Sequence, residues 1–328
     1  MRRSMIEEFR PPPFLGNPHV QTLLGYFWKG TLPAFSAQER QVALPDGDRL
    51  VLHDSIPANW RPGGPIALLV HGLGGCHLSG PVQRLAALLL ARGVRAVRID
   101  LRGCGRGAAF ARRIYNGGCS ADIRAALAEI RTWDANAPLS VLGFSLGGNI
   151  VLKLAGEVAT AAIPGLERVI AVAPPINLEL CAGMLGERRN RFYEVHFVRV
   201  LVRQVRELER HAPDLPRSRF PAGLTLRRFD DLYTAPRGGF ADALDYYRRS
   251  SSLPVISEIK VPALILAARD DPFIALEPFE QLVLPANVSL RVAANGGHLG
   301  FLGWEGRGII RWAERQAADW ISNHRLVP

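Results

Sequence analysis

The chain has 328 residues, of which 48% are apolar and 21% are charged, and its formal net charge is +10. This composition is typical of an ordinary globular protein with one large domain and an insertion, or with two small domains, and it excludes a disordered chain. Because the only lysines are Lys29, Lys153 and Lys260, the positive charge is mostly scattered arginine. A base-composition bias explains such a charge as well as a polyanion does, so we expect no nucleic acid partner.

The cysteines and the N-terminus predict where the protein resides. Cys76, Cys104, Cys119 and Cys181 are irregularly spaced and include no C-x-x-C pair, which favours free thiols in a reducing compartment over disulfides or a zinc site. The N-terminus meets two acids and three prolines rather than an apolar core, and no run of about 18 apolar residues follows anywhere. We therefore expect a cytoplasmic protein without a secretory signal or a membrane span.

Residues 1–35 are rich in proline, glycine and aromatics, and we expect an arm that packs on the core rather than a domain. Its histidine, His19, follows Pro18. A ligand or a catalyst is one interpretation of that residue, and a histidine that caps a turn is the favoured one.

Residues 36–175 and 255–328 are predicted to form the core of an α/β protein. Residues 39–56 alternate around Pro45-Asp46-Gly47-Asp48, which predicts a β-hairpin. Short apolar strands then alternate with longer amphipathic helices, and this pattern indicates a mostly parallel twisted sheet flanked by helices. The predicted strands lie near 66–70, 96–99, 139–142, 169–172, 263–266 and 289–292, and the predicted helices near 80–92, 119–132, 146–157, 276–283 and 305–323.

The sheet pattern stops between residues 176 and 254, where we expect a helical cap inserted into the core. Around 198–210, apolar residues lie opposite arginines at helical spacing. A cap helix with a solvated basic face is favoured, and peripheral contact with an anionic membrane is the alternative. Asp230 and Asp231 are adjacent in a helix-like stretch, so we interpret them as capping residues rather than a paired acid-base site.

Ser145 is the predicted nucleophile. It stands in Gly143-Phe144-Ser145-Leu146-Gly147 between an apolar strand and a helical run. A serine on such a turn adopts a positive φ, and glycines two residues before and after it leave room for this geometry. A G-x-S-x-G match alone is weak, and an ordinary turn is its simplest explanation without the flanking strand and helix.

A serine needs a base and an acid that orients the base. Asp270-Asp271 follow the strand at 263–266, and His298 follows the next strand in a glycine-rich loop. Both lie at strand carboxyl ends, where Ser145 also emerges. We assign Asp271 as the acid and His298 as the base, with Asp270 supporting the turn. The order serine, acid, histidine is that of the α/β-hydrolase fold.

Two backbone amides, those of Leu73 and Leu146, are the predicted oxyanion hole, since Leu73 follows a strand in a glycine-rich loop and Leu146 begins a helix. His71, beside that loop, is expected to stabilise it rather than to catalyse. Gly103-Cys104-Gly105-Arg106-Gly107-Ala108 also matches a dinucleotide fingerprint. Leu101-Arg102 separate these glycines from the strand, so we reject a dinucleotide site.

The chain resembles the YheT-like branch of the α/β-hydrolases over nearly its whole length. The resemblance rests on 16–23, 71–73, 100–104, 113–115, 143–149, 229–231, 245–247 and 270–273. It implies the α/β-hydrolase fold and a carboxylic-ester hydrolase that uses Ser145, Asp271 and His298 without metal or cofactor. Some α/β-hydrolase relatives have an H-x-x-x-x-D acyltransferase motif, whereas Gly303 follows His298 at that spacing here. Cys76 and Cys119 stand where other members more often have polar residues, which we do not explain.

We therefore expect a serine esterase that cleaves short- to medium-chain or lipid-like acyl esters through an acyl-enzyme. An acyltransferase or thioesterase with the same triad and a non-catalytic binding protein on a hydrolase scaffold are the alternatives. The sequence predicts neither the physiological substrate nor the oligomeric state.

Overall fold

An eight-stranded sheet organises the chain in a computed structural model that describes residues 9–28, 30, 35–158, 162–306 and 308–322. The strand order is β1-β2-β4-β3-β5-β6-β7-β8. The pairs β1/β2 and β2/β4 are antiparallel, and all the other pairs are parallel. The predicted α/β class, with a mostly parallel sheet flanked by helices, is confirmed.

The strands are β1 (Gln38–Ala43), β2 (Arg49–Ser55), β3 (Ile66–Val70), β4 (Arg95–Asp100), β5 (Leu139–Phe144), β6 (Leu166–Val172), β7 (Ala263–Ala268), β8 (Val288–Ala293), β9 (Leu302–Glu305) and β10 (Gly308–Arg311). The α-helices are α1 (Pro18–Phe27), α2 (Gly80–Ala91), α3 (Ser120–Trp133), α4 (Leu146–Glu157), α5 (Leu178–Leu185), α6 (Arg191–His211), α7 (Leu226–Phe229), α8 (Ala235–Gly238), α9 (Ala243–Ser250), α10 (Glu277–Glu280) and α11 (Trp312–Ser322). Short 3₁₀ helices span Gly105–Phe110, Arg188–Asn190 and Leu253–Glu258, and a π-helical turn spans Asp230–Thr234.

The two faces of the sheet bury two apolar cores because side chains alternate along each strand. On β3, Ile66 and Leu68 face the core that α3 and α4 cover, whereas Ala67 and Leu69 face the core of α2 and α11. All five residues of β3 are buried, as expected for a parallel strand that is covered on both faces.

The C-terminal part of the sequence prediction is wrong in detail. The helix predicted over 305–323 begins only at Trp312, and a small antiparallel hairpin of β9 and β10 precedes it. The helix predicted over 276–283 is one turn, α10. Glycines at 303, 306 and 308 favour a hairpin over a helix here, since glycine disfavours a helix interior by about 1 kcal/mol.

Helices α5 to α9 lie between β6 and β7, the stretch predicted to form the cap. The predicted amphipathic helix is α6, whose Val198, Leu201, Val205 and Leu208 are buried. Among the described residues, no helix is both long enough and apolar enough to cross a membrane.

At the N-terminal end, α1 packs beneath the loop that carries His298. The side chain of Asn17 caps this helix by accepting hydrogen bonds from the amides of His19 and Val20. His19 therefore is not the cap, and its Nδ1 instead lies 3.0 Å from the hydroxyl of Tyr193. Residues 1–8, 29 and 31–34 of the predicted arm lie outside the described residues.

Candidate active site

Ser145 lies on a strained turn between β5 and α4. Its φ is +51° and its ψ is −121°, a conformation that a residue with a side chain rarely adopts. A Cβ on Gly143 would lie 2.1 Å from the carbonyl oxygen of Gly147, and one on Gly147 would lie 2.4 Å from that of His71. The two glycines are therefore required by close backbone contacts, which hold the half-buried serine at the carboxyl end of the sheet.

His298 links Ser145 to Asp271 through hydrogen bonds. Its Nε2 is 2.9 Å from the Ser145 hydroxyl oxygen, and its Nδ1 is 2.8 Å from Oδ2 of Asp271. Since a carboxylate only accepts hydrogen bonds, Nδ1 carries the proton and Nε2 is free to accept the serine hydroxyl. The structure thus brings together the three residues that the sequence assigned to one site.

The Asp271 carboxylate is fixed by its own loop. Its Oδ1 accepts the amides of Phe273 and Ile274 at 3.1 and 3.0 Å, which leaves Oδ2 directed at His298. The ring of Phe273 packs against the imidazole, with centroids 4.2 Å apart. This contact shields the histidine from solvent and fixes the plane of its ring.

Asp270 has a different role from its neighbour. Its Oδ1 accepts the amide of Gly297 at 2.9 Å and so ties the loop after β7 to the histidine loop. Burial raises the pKa of the Asp270 carboxyl above its ordinary value. The expectation that Asp270 supports the loop rather than the histidine itself agrees with these contacts.

Helix α1 supports the histidine loop, and sequence reasoning missed this contribution. The Thr22 hydroxyl donates to the Pro18 carbonyl at 2.7 Å and accepts the amide of His298 at 2.9 Å. The Gln21 side chain accepts the amide of Leu302 and donates to its carbonyl. The only sequence signal was the resemblance of residues 16–23 to a known branch, which did not say what these residues contact.

The predicted oxyanion donors lie on either side of Ser145. Leu146 is the first residue of α4, and the first amides of a helix have no partner within the helix. Leu73 belongs to the loop after β3, which passes so close that a Cβ on Gly72 would lie 3.0 Å from Cβ of Ser145. The role of both amides stays a prediction.

His71 and Tyr115 fix the backbone of that loop. Tyr115 donates its hydroxyl proton to the Gly72 carbonyl at 2.6 Å and accepts the Gly74 amide at 2.9 Å. Nδ1 of the fully buried His71 donates to the same Gly72 carbonyl, and its Nε2 accepts the Leu101 amide at 3.4 Å. Burial lowers the pKa of His71, so this imidazole is neutral and serves the loop, as predicted.

A mainly apolar cavity opens beside Ser145, against helices α5, α6, α7 and α9. Leu73, Leu146, Pro175, Leu178, Cys181, Ala182, Leu185, Phe197, Leu226, Asp230, Tyr246, Tyr247, Phe273 and Ile274 line it. Burial raises the pKa of the Cys181 thiol to about 12, so the thiol stays protonated and does not compete with Ser145 as a nucleophile. All four cysteines are free.

Away from this cavity, His53, His77 and Asp100 have side-chain atoms close enough to hold a metal ion. The Asp100 carboxylate already accepts hydrogen bonds from both imidazoles, at 2.9 and 2.8 Å, and from the amides of His77 and Arg106. The two rings are stacked with centroids 3.5 Å apart, and a nitrogen of each ring is directed at the same oxygen, Oδ2 of Asp100. We interpret the cluster as a hydrogen-bonded support for the loop after β3.

The protein is of the α/β-hydrolase class. This follows from the strand order of its sheet together with the strained turn at Ser145 and the loop that carries His298. A family model described as "Alpha/beta hydrolase family" matches residues 67–306. "Putative esterase YheT" of Escherichia coli (strain K12) is 30% identical over 325 residues, which cover 98% of this chain and 95% of that protein. The chain belongs to the α/β-hydrolase family, and the predicted resemblance is confirmed.

Two further comparisons agree with this family. "Monoacylglycerol lipase" of Saccharomyces cerevisiae (strain ATCC 204508 / S288c) is 29% identical over 258 residues, 76% of this chain and 57% of that protein. The solved structure of the Pyrococcus furiosus esterase Pf2001 matches with a TM-score of 0.55 at 15% identity, covering 97% of this chain and 96% of that one. At that identity the likeness shows the α/β-hydrolase fold alone. With relatives named esterase and lipase, the chain is a hydrolase.

Proposed function

We propose that this protein is a serine esterase that hydrolyses carboxylic esters through an acyl-enzyme. The observation that carries the proposal is the chain of hydrogen bonds from Ser145 through His298 to Asp271, at 2.9 and 2.8 Å. These distances are within the reach that a nucleophile and its base require.

In the first half of the reaction, the Ser145 oxygen attacks the ester carbonyl while Nε2 of His298 takes the hydroxyl proton. Asp271 stabilises the resulting imidazolium through Nδ1 and does not itself accept a proton. The carbonyl oxygen becomes negative and receives hydrogen bonds from the amides of Leu73 and Leu146, each worth roughly 3 kcal/mol of barrier. The tetrahedral intermediate then expels the alkoxide, which takes the proton from His298.

In the second half, water attacks the acyl-enzyme. His298 removes a proton from the water, and the second tetrahedral intermediate releases the carboxylic acid as Ser145 recovers its proton. The proton that leaves Ser145 therefore ends on the alcohol, and a proton taken from water restores the serine hydroxyl.

The cavity supports acyl esters of short to medium length or lipid-like esters as substrates, because its lining is mostly apolar. The name of the yeast relative, a monoacylglycerol lipase, points in the same direction. We retain as proposals the division into the 1–35 arm, the core and the 176–254 cap, and a cytoplasmic location. The absence of a nucleic acid partner likewise stays a prediction.

The test is Ser145→Ala, assayed with p-nitrophenyl esters of increasing acyl length. We expect turnover to fall by a factor of at least about 10³ and labelling by a fluorophosphonate probe to disappear. The matched control is Ser257→Ala, because that serine is exposed and its hydroxyl donates to the adjacent Glu258. Undiminished turnover in Ser145→Ala would exclude Ser145 from the mechanism.

The same assay separates the alternatives. An acyltransferase or thioesterase would form esters with added alcohol or cleave acyl-CoA in preference to simple esters, which product analysis detects. A non-catalytic binding protein would leave the wild-type chain unlabelled by the probe.

A further inference from the structure

The cavity beside Ser145 contains one carboxyl group in an otherwise mainly apolar wall. Asp230 lines it and is only 6% exposed. Among the described residues that line the cavity, there is no arginine or lysine to neutralise Asp230. An uncompensated carboxyl is costly to bury, so its presence in a substrate cavity requires an explanation.

The backbone around Asp230 departs from a regular helix. Asp230 is the first residue of the π-helical turn Asp230–Thr234, which interrupts the helical segment between α7 and α8. Turns of this kind are rare in proteins, and those that occur often lie at functional sites. The adjacent Asp231 does what the sequence predicted for both aspartates, since its carboxylate accepts the Ala243 amide at the start of α9, at 2.9 Å. Within the described part of the chain, Asp230 accepts hydrogen bonds from the side chains of Tyr247 and Thr234 rather than from a helix amide, contrary to the predicted capping role.

Two tyrosines of α9 complete the polar part of the wall. Tyr247 donates its hydroxyl proton to Oδ2 of Asp230 at 2.7 Å. Tyr246 accepts the Gly117 amide at 3.0 Å and still has its own proton to donate. Burial raises the pKa of Asp230 to about 7, hydrogen bonds from the side chains of Thr234 and Tyr247 partly oppose this rise, and the neighbouring Asp231 adds to it. Near neutral pH the Asp230 carboxyl can therefore both donate and accept a hydrogen bond.

A hydroxyl group is the ligand that suits this wall. It donates one hydrogen bond and accepts another, and it is far cheaper to desolvate than an ammonium group. An ammonium group would require Asp230 to be fully ionised and would bring a second charge into an apolar cavity. A plain alkyl chain would displace water from the carboxyl and return no hydrogen bond.

We propose that Asp230, with Tyr247 and Tyr246, forms a hydroxyl-binding subsite in the substrate cavity, and that the preferred esters carry a hydroxyl group on the acyl chain. This inference rests on the proposed esterase function, because it concerns the specificity of the same site. Asp230 is a specificity residue in this proposal and takes no part in the bond-breaking steps.

The test compares p-nitrophenyl alkanoates with their ω-hydroxy counterparts over a series of chain lengths. At the length that reaches Asp230, we expect kcat/KM to favour the hydroxy ester by about tenfold or more. Asp230→Leu should abolish that preference, whereas Asp230→Asn, which still donates and accepts hydrogen bonds, should retain most of it. Asp242→Asn, a substitution of the exposed aspartate that caps α9 by accepting the Asp245 amide, is the matched control and should leave the preference unchanged.

Two results would overturn the proposal. One is an equal rate for hydroxy and methyl-ended esters at every chain length, and the other is a preference for ω-amino esters that Asp230→Asn removes. If Asp230→Leu does not fold, Tyr247→Phe replaces it, and we expect that variant to lower the hydroxyl preference.

Binding separates a failure of this inference from a failure of the esterase proposal. Titration calorimetry with the Ser145→Ala chain measures the affinity for ω-hydroxy fatty acids and for unsubstituted fatty acids without any turnover. Tighter binding of the hydroxy acid, lost when Asp230→Leu is added, supports the subsite even if no ester is hydrolysed. Equal affinity overturns the subsite while Ser145-dependent hydrolysis stands.

Discussion

Tyr115 fixes the position of the loop after β3 relative to Ser145. Its single hydroxyl is bonded to both sides of the predicted oxyanion donor Leu73, to the Gly72 carbonyl and the Gly74 amide. Because an oxyanion donor must be placed within a few tenths of an ångström, a side chain that fixes the loop acts on the transition state.

Tyr115→Phe should therefore lower kcat by about tenfold and leave KM nearly unchanged. The reason is that the ground-state ester does not depend on the oxyanion donors, whereas the tetrahedral intermediate does. Steady-state kinetics with one p-nitrophenyl ester measures the effect. Tyr26→Phe, which removes the hydroxyl of an exposed tyrosine that bonds to His196, serves as control. A rise in KM at constant kcat would contradict the positioning role.

At the scale of elements, α1 acts as a support on which the histidine loop rests. That loop is strained, since Leu299 and Phe301 have φ values of 59° and 41° although they are not glycines. Strain of this kind persists only where surrounding contacts impose it. Gln21 and Thr22 supply hydrogen bonds on the α1 side of the loop.

Gly25→Ala tests this support. We expect it to destabilise the protein, although a glycine-to-alanine change within a helix is usually stabilising. Alanine normally stabilises a helix interior by about 1 kcal/mol relative to glycine, but a Cβ on Gly25 would lie 2.7 Å from Cα of Gly300 and 3.0 Å from the Leu299 carbonyl oxygen. Backbone cannot move aside cheaply, so we expect a loss of roughly 1–3 kcal/mol of stability and a clear fall in kcat/KM.

Thermal unfolding and esterase assays of the same preparations measure both effects of Gly25→Ala. Gly16→Ala is the matched control, because a Cβ there meets no atom within 4 Å. If Gly25→Ala were as stable and as active as the Gly16→Ala control, α1 would not hold the histidine loop.

The sequence predicts those elements whose pattern is local. Parallel strands such as β3 are short apolar runs, and the serine turn is marked by glycines that its own backbone requires, so both were predicted at their observed positions. The contacts of Gln21 with Leu302 join residues 281 positions apart, and no periodicity in either segment indicates that pairing. The β9 and β10 hairpin was missed for a related reason, since its apolar Ile309 and Ile310 fit a helical pattern as well as a strand.

Asp230 shows the same limit at a single position. Adjacent aspartates in a helix-like stretch fit capping, and Asp231 follows that rule. That Asp230 instead faces a cavity depends on the π-helical turn and on how α9 packs against it, which one sequence does not specify.

At the scale of the whole molecule, Arg102 and Asp100 show how buried charges are compensated in the described part of the chain, and Asp230 differs from both. Arg102 is paired with Asp46, Asp48 and Asp122. For Asp100, hydrogen bonds from His53 and His77 outweigh burial and hold the pKa of the carboxyl below its ordinary value. Such a group stabilises the fold at neutral pH and loses that contribution as the pH falls. The pKa of Asp230 is raised rather than lowered, so its effect on stability changes with pH in the opposite direction.

The pKa of Asp230 is about 7 in the folded chain against an ordinary value of 3.8. Above pH 4 the unfolded chain releases this proton more readily, so the folded state loses stability as the pH rises to about 7 and then no further.

Asp230→Asn removes this loss of stability with rising pH. We expect the variant to gain stability relative to wild type between pH 4 and pH 8, by up to about 4 kcal/mol. Urea unfolding of both chains across this range measures the difference in their free energies of unfolding. The contributions of all other titrating groups cancel to first order in that difference. A difference that does not vary with pH would show that Asp230 is ionised in the folded protein much as it is in water, and the carboxyl would then lack the dual donor and acceptor character that suits a hydroxyl ligand.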